Sequence, residues 1–247
     1  MVTEYANPEK FSRLARPFIP ALGAMSVLLF TAGLYYALFN SPADYQQGET
    51  VRIMYVHVPA AWMALFCYAA MAGASAAGFI WKHPLADVAA KATAPIGAVF
   101  TALALVTGSL WGKPMWGTWW AWDARLTSVL ILFFLYLGYI AIWETVEERA
   151  RAARLAAIVA IVGAVNLPVV KFSVDWWNSL HQPASVFRAG GPTIHESMRP
   201  PLFFMAFAYM TTYGALLLVS MRAELAARRL ARLETLATEK ISGVRPE

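Results

Sequence analysis

The chain has 247 residues, of which 59% are hydrophobic and only 14% charged, with a mean hydropathy of +0.51; soluble domains carry charge on about a quarter of their residues, so a soluble globule is excluded and an integral membrane protein indicated. A formal net charge of +5 and a pI near 9.4 would suit nucleic acid only if the basic residues were clustered, and they are instead scattered between apolar runs, where they report topology and predict no nucleic-acid partner. The single cysteine, Cys67, falls inside an apolar run, which excludes intrachain disulfides and thiolate metal clusters, and there is no C-x-x-C-H for covalent heme attachment.

The polar N-terminal segment MVTEYANPEKFSRLARP leads into an apolar run of full spanning length, which predicts a retained first helix and no cleaved leader. Six stretches approach the roughly 20 apolar residues that cross a bilayer: Phe18 to Phe39, Val58 to Trp81, Ala92 to Leu110, Ser128 to Trp143, Leu155 to Phe172, and Leu202 to Met221. Lipid offers no partner to backbone N–H and C=O groups, so each must be helical. The expected fold is an all-α integral membrane protein, a six-transmembrane-helix bundle over residues 1–221 with a Trp-rich external loop (111–127) between helices 3 and 4, and a tail over 222–247. Pro59 and Pro95 are expected in first turns, where a missing N–H costs little. Pro168 is expected to kink or stop the fifth helix.

An even number of spans puts both termini on one side. Arg52, Lys113, Arg125, Lys171, Arg188 and Arg199 fall on the other side, and the rest of the 20 Lys and Arg lie with the termini. Positive residues stay inside, so the termini are expected in the cytoplasm and the tryptophan loop outside. The stretch from Arg222 to Lys240 has apolar residues at helical spacing with arginines between them. It reads either as an amphipathic helix on the membrane surface or on a partner, or as a plain solvated tail.

Between Trp111 and Thr127 the chain reads WGKPMWGTWWAWDARLT, with Trp111, Trp116, Trp119, Trp120 and Trp122 beside Asp123 and Arg125. Helical spacing would set Trp116, Trp119, Trp120 and Asp123 on one face as an indole shelf ending in charge. The alternative is an interfacial belt, since indoles favour the bilayer boundary, although a belt distributes its tryptophans over several helix ends. His57, in RIMYVHVPAAW, and His181, in DWWNSLHQP, belong to the outer connections on either side of this loop. A planar ligand on the shelf can therefore meet one imidazole on each face, the arrangement of a bis-histidine heme. Equally, each is a histidine near a helix end, suited to capping.

The carboxylates of such a ligand need cations, and Arg52, Arg125, Lys113 and Arg188 are on that face. Asp123 can accept an indole or imidazole N–H or orient Arg125; otherwise the two form a surface pair contributing about 0–1 kcal/mol. His83 and His195 receive no role. There is no Gly-rich phosphate loop, no H-E-x-x-H and no pair of intramembrane carboxylates.

The motif W-G-x-x-W-x-W-D, present as Trp116, Gly117, Trp120, Trp122 and Asp123, resembles the signature of the heme-handling (WWD-domain) proteins of cytochrome c biogenesis. The segments SPADYQQG, YVHVPAA, APIGAVFTALALVTGSLWGKPMWGTWWAWDARLT, GAVNLPVVKFSVDWWNSLHQ and MRPPL extend the similarity to the CcmC family over nearly the whole chain. The resemblance implies a bacterial inner-membrane protein, not an enzyme, that binds heme b on the periplasmic face and passes it to the heme chaperone CcmE. It implies a tryptophan platform and axial ligands that fall on His57 and His181. CcmA, CcmB and CcmD are implied as fellow subunits of an ABC-type complex. In this first reading Trp116, Trp119, Trp120 and Trp122 carry the heme, and Arg52 and Arg125 hold its propionates. A second reading is a b-type membrane redox subunit exchanging electrons with quinone, whose histidines usually sit inside helices. A third is a transporter subunit whose tryptophans only dock a partner.

Overall fold

A computed structural model describes residues 7–242. Its helices are α1 (Pro8–Tyr35), continued by a π turn (Tyr36–Asn40); α2 (Met54–Trp81), entered through a 3-10 turn (Glu49–Ile53); α3 (Ala86–Trp116); α4 (Ala124–Thr145); α5 (Arg149–Gly163); α6 (Asn166–Trp176); and α7 (Arg199–Ser242), preceded by a short turn (Glu196–Met198). Among the described residues six segments are long and apolar enough to cross a membrane, α5 and α6 together making the fifth. The expected all-α bundle and its six spans are all present.

The helices begin earlier than hydropathy alone places them, because their first turns are polar and still helix-forming. Asn7 caps α1 by accepting the N–H groups of Glu9 (2.9 Å) and Lys10 (3.2 Å). With α2 starting at Met54 and α3 at Ala86, Pro59 and Pro95 lie inside helices and not in first turns. Each forfeits one backbone bond. Pro168 acts as expected, one turn upstream of itself: the fifth span breaks between Gly163 and Asn166. Its ring has no N–H for the Ala164 carbonyl and crowds that group, so the carbonyl instead accepts Leu167 N–H at 3.0 Å.

α1 packs chiefly on α7, and α2 on α3. Between spans there is no hydrophobic drive, because lipid is as apolar as leucine, so close van der Waals contact decides the packing. Ala60, Ala64 and Cys67 of α2 and Ala90, Ala94 and Ala104 of α3 are buried, small side chains that let backbones approach. Tyr136 of α4 donates to the Ala64 carbonyl at 2.8 Å, satisfying its hydroxyl inside the bundle.

Ion pairs tie together the end at which α1 and α3 begin and along which the last part of α7 runs. Lys91 meets Glu224 at 3.0 Å, Arg228 meets Asp87 at 2.9 Å, and Glu9 meets Arg229 at 3.2 Å. α7 runs through this end without interruption for 44 residues, so the stretch from Arg222 to Lys240, read as either an amphipathic helix or a solvated tail, is helical and continuous with the sixth span. The three connections at the other end, 41–53, 117–123 and 177–198, meet over the mouths of α2, α3 and α4.

Candidate heme site

At that end α2, α3, α4 and the last connection enclose a cavity of about 390 Å³, within the range of about 300–1,000 Å³ usual for small-molecule and cofactor sites. Its deep part is apolar, formed by Ala61, Ala64, Leu65, Ala104 and Leu132. Trp62, Trp111, Trp116 and Trp120 supply aromatic wall, and His57, Arg125, Lys171 and His181 bring polar groups.

His57 stands in the first turn of α2. Its Nδ1 lies 3.1 Å from Thr107 Oγ1, while the Thr107 hydroxyl donates to the Leu103 carbonyl at 2.6 Å. A hydroxyl has one hydrogen, so the Thr107 oxygen accepts from His57 Nδ1–H, and the free lone pair of the neutral ring is on Nε2. The ring packs edge-on to Trp111, centroids 5.7 Å apart, and Trp111 Nε1 is itself fixed by donation to Gln47 Oε1 at 2.9 Å. α3 passes close behind: a Cβ on Gly108 would lie 2.9 Å from His57 Cε1, so only glycine leaves the imidazole this place.

His181 arrives on the connection after α6, held by a relay of hydrogen bonds. Its backbone N–H donates to Ser179 Oγ at 3.1 Å, and the Ser179 hydroxyl donates to Asp123 Oδ2. Asp123 Oδ1 accepts Leu126 N–H at 2.8 Å as the N-cap of α4. Two groups compete for His181 Nδ1: Arg125 Nη1 at 3.2 Å and the Gln182 carbonyl at 3.1 Å. Burial holds the His181 pKa below the ordinary histidine value; the Arg125 charge acts in the same direction, the Gln182 carbonyl and Asp123 against it.

The imidazoles of His57 and His181 face each other with centroids 6.4 Å apart and planes inclined by 35°. Metal–nitrogen bonds of about 2 Å on either side, plus about 1 Å from nitrogen to ring centre, require a separation of roughly 6 Å for two rings sharing one ion. Among the described residues no three His, Cys, Asp or Glu side chains gather around one point. The pair thus offers two nitrogens, and the remaining ligands of any shared metal would come from the group that carries it.

Arg125, in the first turn of α4, also donates through Nε to Ser173 Oγ (3.3 Å) and through Nη2 to the Lys171 carbonyl (3.1 Å), clasping α6. Arg52 does not line the cavity. Its guanidinium is engaged by Glu49 and by the carbonyls of Ala37 and Leu38, the latter at 2.7 Å, where the π turn leaves acceptors unpaired. Lys113 turns to the Gly117 carbonyl at 3.0 Å. Arg188 lies outside the cavity lining, and His195 folds back on Ser197, 2.8 Å from its hydroxyl.

The tryptophan segment is not one continuous helix, which corrects the expected one-faced shelf: Trp111 and Trp116 belong to α3, and the loop proper is only 117–123. α3 ends at Trp116, and Gly117 takes the left-handed conformation (φ +74°) with its N–H on the Lys113 carbonyl at 3.0 Å. That is a helix C-cap, and it leaves residues 117–123 irregular. Ser109 Oγ then ties the Trp119 carbonyl back to α3 at 2.7 Å. The consequence is a division among the indoles. Trp116 and Trp120 line the cavity, whereas Trp119 and Trp122 are 55% and 78% exposed. Lys113 sits over Trp119 at 5.9 Å, and Trp122 packs edge-on to Trp120 at 5.5 Å.

Thr107, Gly108, Gln47 and Ser179 escape a reading by residue type because none carries charge or an indole. Their signal is positional: Thr107 and Gly108 fall about six turns into α3, at the height of His57, and Ser179 precedes His181 by two.

A family model described as "Heme exporter protein C" matches residues 1–236. The chain is 53% identical over 239 residues to the heme exporter protein C of Bradyrhizobium diazoefficiens, covering 97% of this chain and 90% of that protein. It is 47% identical over 219 residues to the protein of that name in Escherichia coli K12, covering 89% and 88%. A putative cytochrome c biosynthesis ccmC-like mitochondrial protein of Marchantia polymorpha is 50% identical over 185 residues, covering 74% and 78%.

Proposed function

That this chain belongs to the heme exporter protein C family is the premise from which we propose its function: it holds heme in the cavity between His57 and His181 and delivers it to the heme chaperone CcmE. Membership makes it a multi-pass membrane protein with a role in heme export for cytochrome c biogenesis. Within that role it acts as a delivery component and not as an enzyme, with CcmA, CcmB and CcmD as its partners in an ABC-type complex. The membrane is the bacterial inner membrane, the termini are cytoplasmic and the cavity is periplasmic. Residues 1–221 form the membrane body, and residues 222–247 are the part left for contacts in the cytoplasm.

The observation that carries this reading is the pair of facing imidazoles, 6.4 Å apart, in a cavity walled by tryptophan. The residues suit heme b as cargo. His57 already has its lone pair on Nε2, the indoles of Trp111, Trp116 and Trp120 suit a planar apolar macrocycle, and the Arg125 guanidinium suits a propionate, which its fork can bind through both oxygens. Arg52 contributes from outside, fixing the first outer connection. Asp123 contributes by holding the His181 segment. Heme bound here supplies an iron that accepts two nitrogens; orientation and exposure of its edge belong to the protein.

Purified protein tests it. His57→Ala and His181→Ala singly should each convert a low-spin, two-nitrogen heme spectrum to a high-spin one, and the double variant should lose heme absorbance. A double variant that retains the full spectrum refutes the ligand assignment.

A further inference from the structure

The two imidazoles are held differently. His57 Nδ1 meets the Thr107 oxygen, which can only accept from it, and that partner fixes the ring's lone pair on Nε2. His181 has two, and they demand opposite states of the ring. Guanidinium has donors only and stays charged, so when Arg125 Nη1 donates to His181 Nδ1 at 3.2 Å, the neutral ring carries its hydrogen on Nε2. Nε2 then has no lone pair for a metal. When Nδ1–H instead donates to the Gln182 carbonyl at 3.1 Å, the lone pair is on Nε2 and the ring can ligate. At most one of these bonds exists at a time.

We propose that Arg125 is a positioning residue that couples iron ligation by His181 to recognition of a carboxylate on the ligand, an inference that rests on the function proposed above. Arg125 lines the cavity, and its other acceptors, Ser173 Oγ and the Lys171 carbonyl, are neutral. Neither carboxylate near it is a hydrogen-bond partner: Asp123, the N-cap of its helix, is occupied by Leu126 N–H and the Ser179 hydroxyl, and Asp175 of α6 acts on the guanidinium through its charge. A carboxylate entering the cavity makes a charge-assisted and bidentate partner, stronger than an imidazole nitrogen. As the guanidinium turns to it, Nδ1 is released. The ring gives its Nε2 proton to water and takes one at Nδ1, with no net change of charge, and Nδ1–H settles on the Gln182 carbonyl. Nε2 is then open to iron. The reverse follows on release: a ligand whose carboxylate leaves Arg125 loses its second nitrogen as well.

The test compares iron protoporphyrin IX with its dimethyl ester on the wild-type full-length chain, read by optical and electron paramagnetic resonance spectra. The diacid should give a six-coordinate low-spin complex. The ester, with no charge to draw Arg125 away, should be held by His57 alone and give a high-spin complex, with the low-spin fraction down about tenfold. In Arg125→Met, which cannot donate to Nδ1, the ester should become low-spin. An ester complex as low-spin as the diacid in wild-type protein overturns the coupling alone. An ester still high-spin in Arg125→Met protein that elutes as the wild type does overturns the assignment to Arg125. A diacid complex lacking two nitrogen ligands sinks the functional reading together with the coupling.

Discussion

Asp123 and His181 are joined through a single hydroxyl: Ser179 donates to the Asp123 carboxylate and its oxygen receives the His181 backbone N–H. The carboxylate that starts α4 therefore also sets the height of an imidazole carried by the last connection. Asp123→Ala should cost about 1 kcal/mol of helix capping and loosen the His181 segment. Ser179→Ala removes only the second effect. Both variants should show a raised high-spin fraction of bound heme, while only Asp123→Ala should lower the melting temperature appreciably. A Ser179→Ala spectrum identical to wild type would contradict the relay.

Gly108 makes a steric prediction. A methyl group there would stand 2.9 Å from His57 Cε1, so Gly108→Ala should push the ring out of line with His181. Alanine favours the helix by up to about 1 kcal/mol over glycine, so the protein should fold at least as well while binding heme more weakly. Thr107→Val is the electronic counterpart: it deletes the acceptor that orients His57, and loss of such a partner commonly costs about 10–100-fold in metal affinity. Heme titrations of both variants check these outcomes.

The division among the indoles separates binding from transfer. Trp116→Ala and Trp120→Ala remove cavity wall and should weaken heme binding. Trp119→Ala and Trp122→Ala alter exposed rings and should leave affinity within a few-fold while slowing passage to the chaperone. Equal losses of affinity across all four variants would show that the irregular loop does not partition them this way.

Acidity gives a further handle. Only neutral imidazole binds iron, and burial holds His181 below the ordinary histidine value of 6.5. The neutral form therefore persists as pH falls through that value, and the low-spin spectrum should survive to more acid medium than a free histidine would allow. The same sign applies to the heme-free chain. The unfolded segment takes up its proton near 6.5 and the folded ring only at lower pH, so stability falls as the medium is acidified below 6.5. A spectral pH titration with a midpoint above 6.5 would contradict the burial of this ring.

Much of the architecture is legible in the sequence because lipid leaves the backbone so little choice. Apolar runs of spanning length have to be helices, and all six are. Their first turns are less legible, since Asp87 and Lys91 hide the start of α3 from a hydropathy window and His57, behind Arg52, does so for α2, and that displaced Pro95 and Pro59 from the positions expected of them. Extending the helical period across the tryptophans fails for a local reason. Gly117 and Asp123 are a helix stop and a helix start, and both signals are carried by the residue types of WGTWWAWD themselves. The meeting of His57 with His181 follows from the adjacency of the outer connections, but the grip on each ring does not. Thr107 and Gly108 act through their height on α3. Arg52 is misleading for the complementary reason: charge suggests a ligand contact, while carbonyl oxygens at the end of α1, which no side chain betrays, capture it first.

The unbroken last helix has a mechanical corollary. At about 1.5 Å per residue its 44 residues reach some 66 Å, about twice the roughly 30 Å hydrocarbon layer. With no glycine or proline between Gly214 and Ser242 to bend it, a torque applied near Leu236 is carried stiffly as far as Gly214; beyond that, Gly214 and the Pro200–Pro201 pair are the points of give before Arg199, whose guanidinium touches the Ile194 carbonyl in the connection that carries His181.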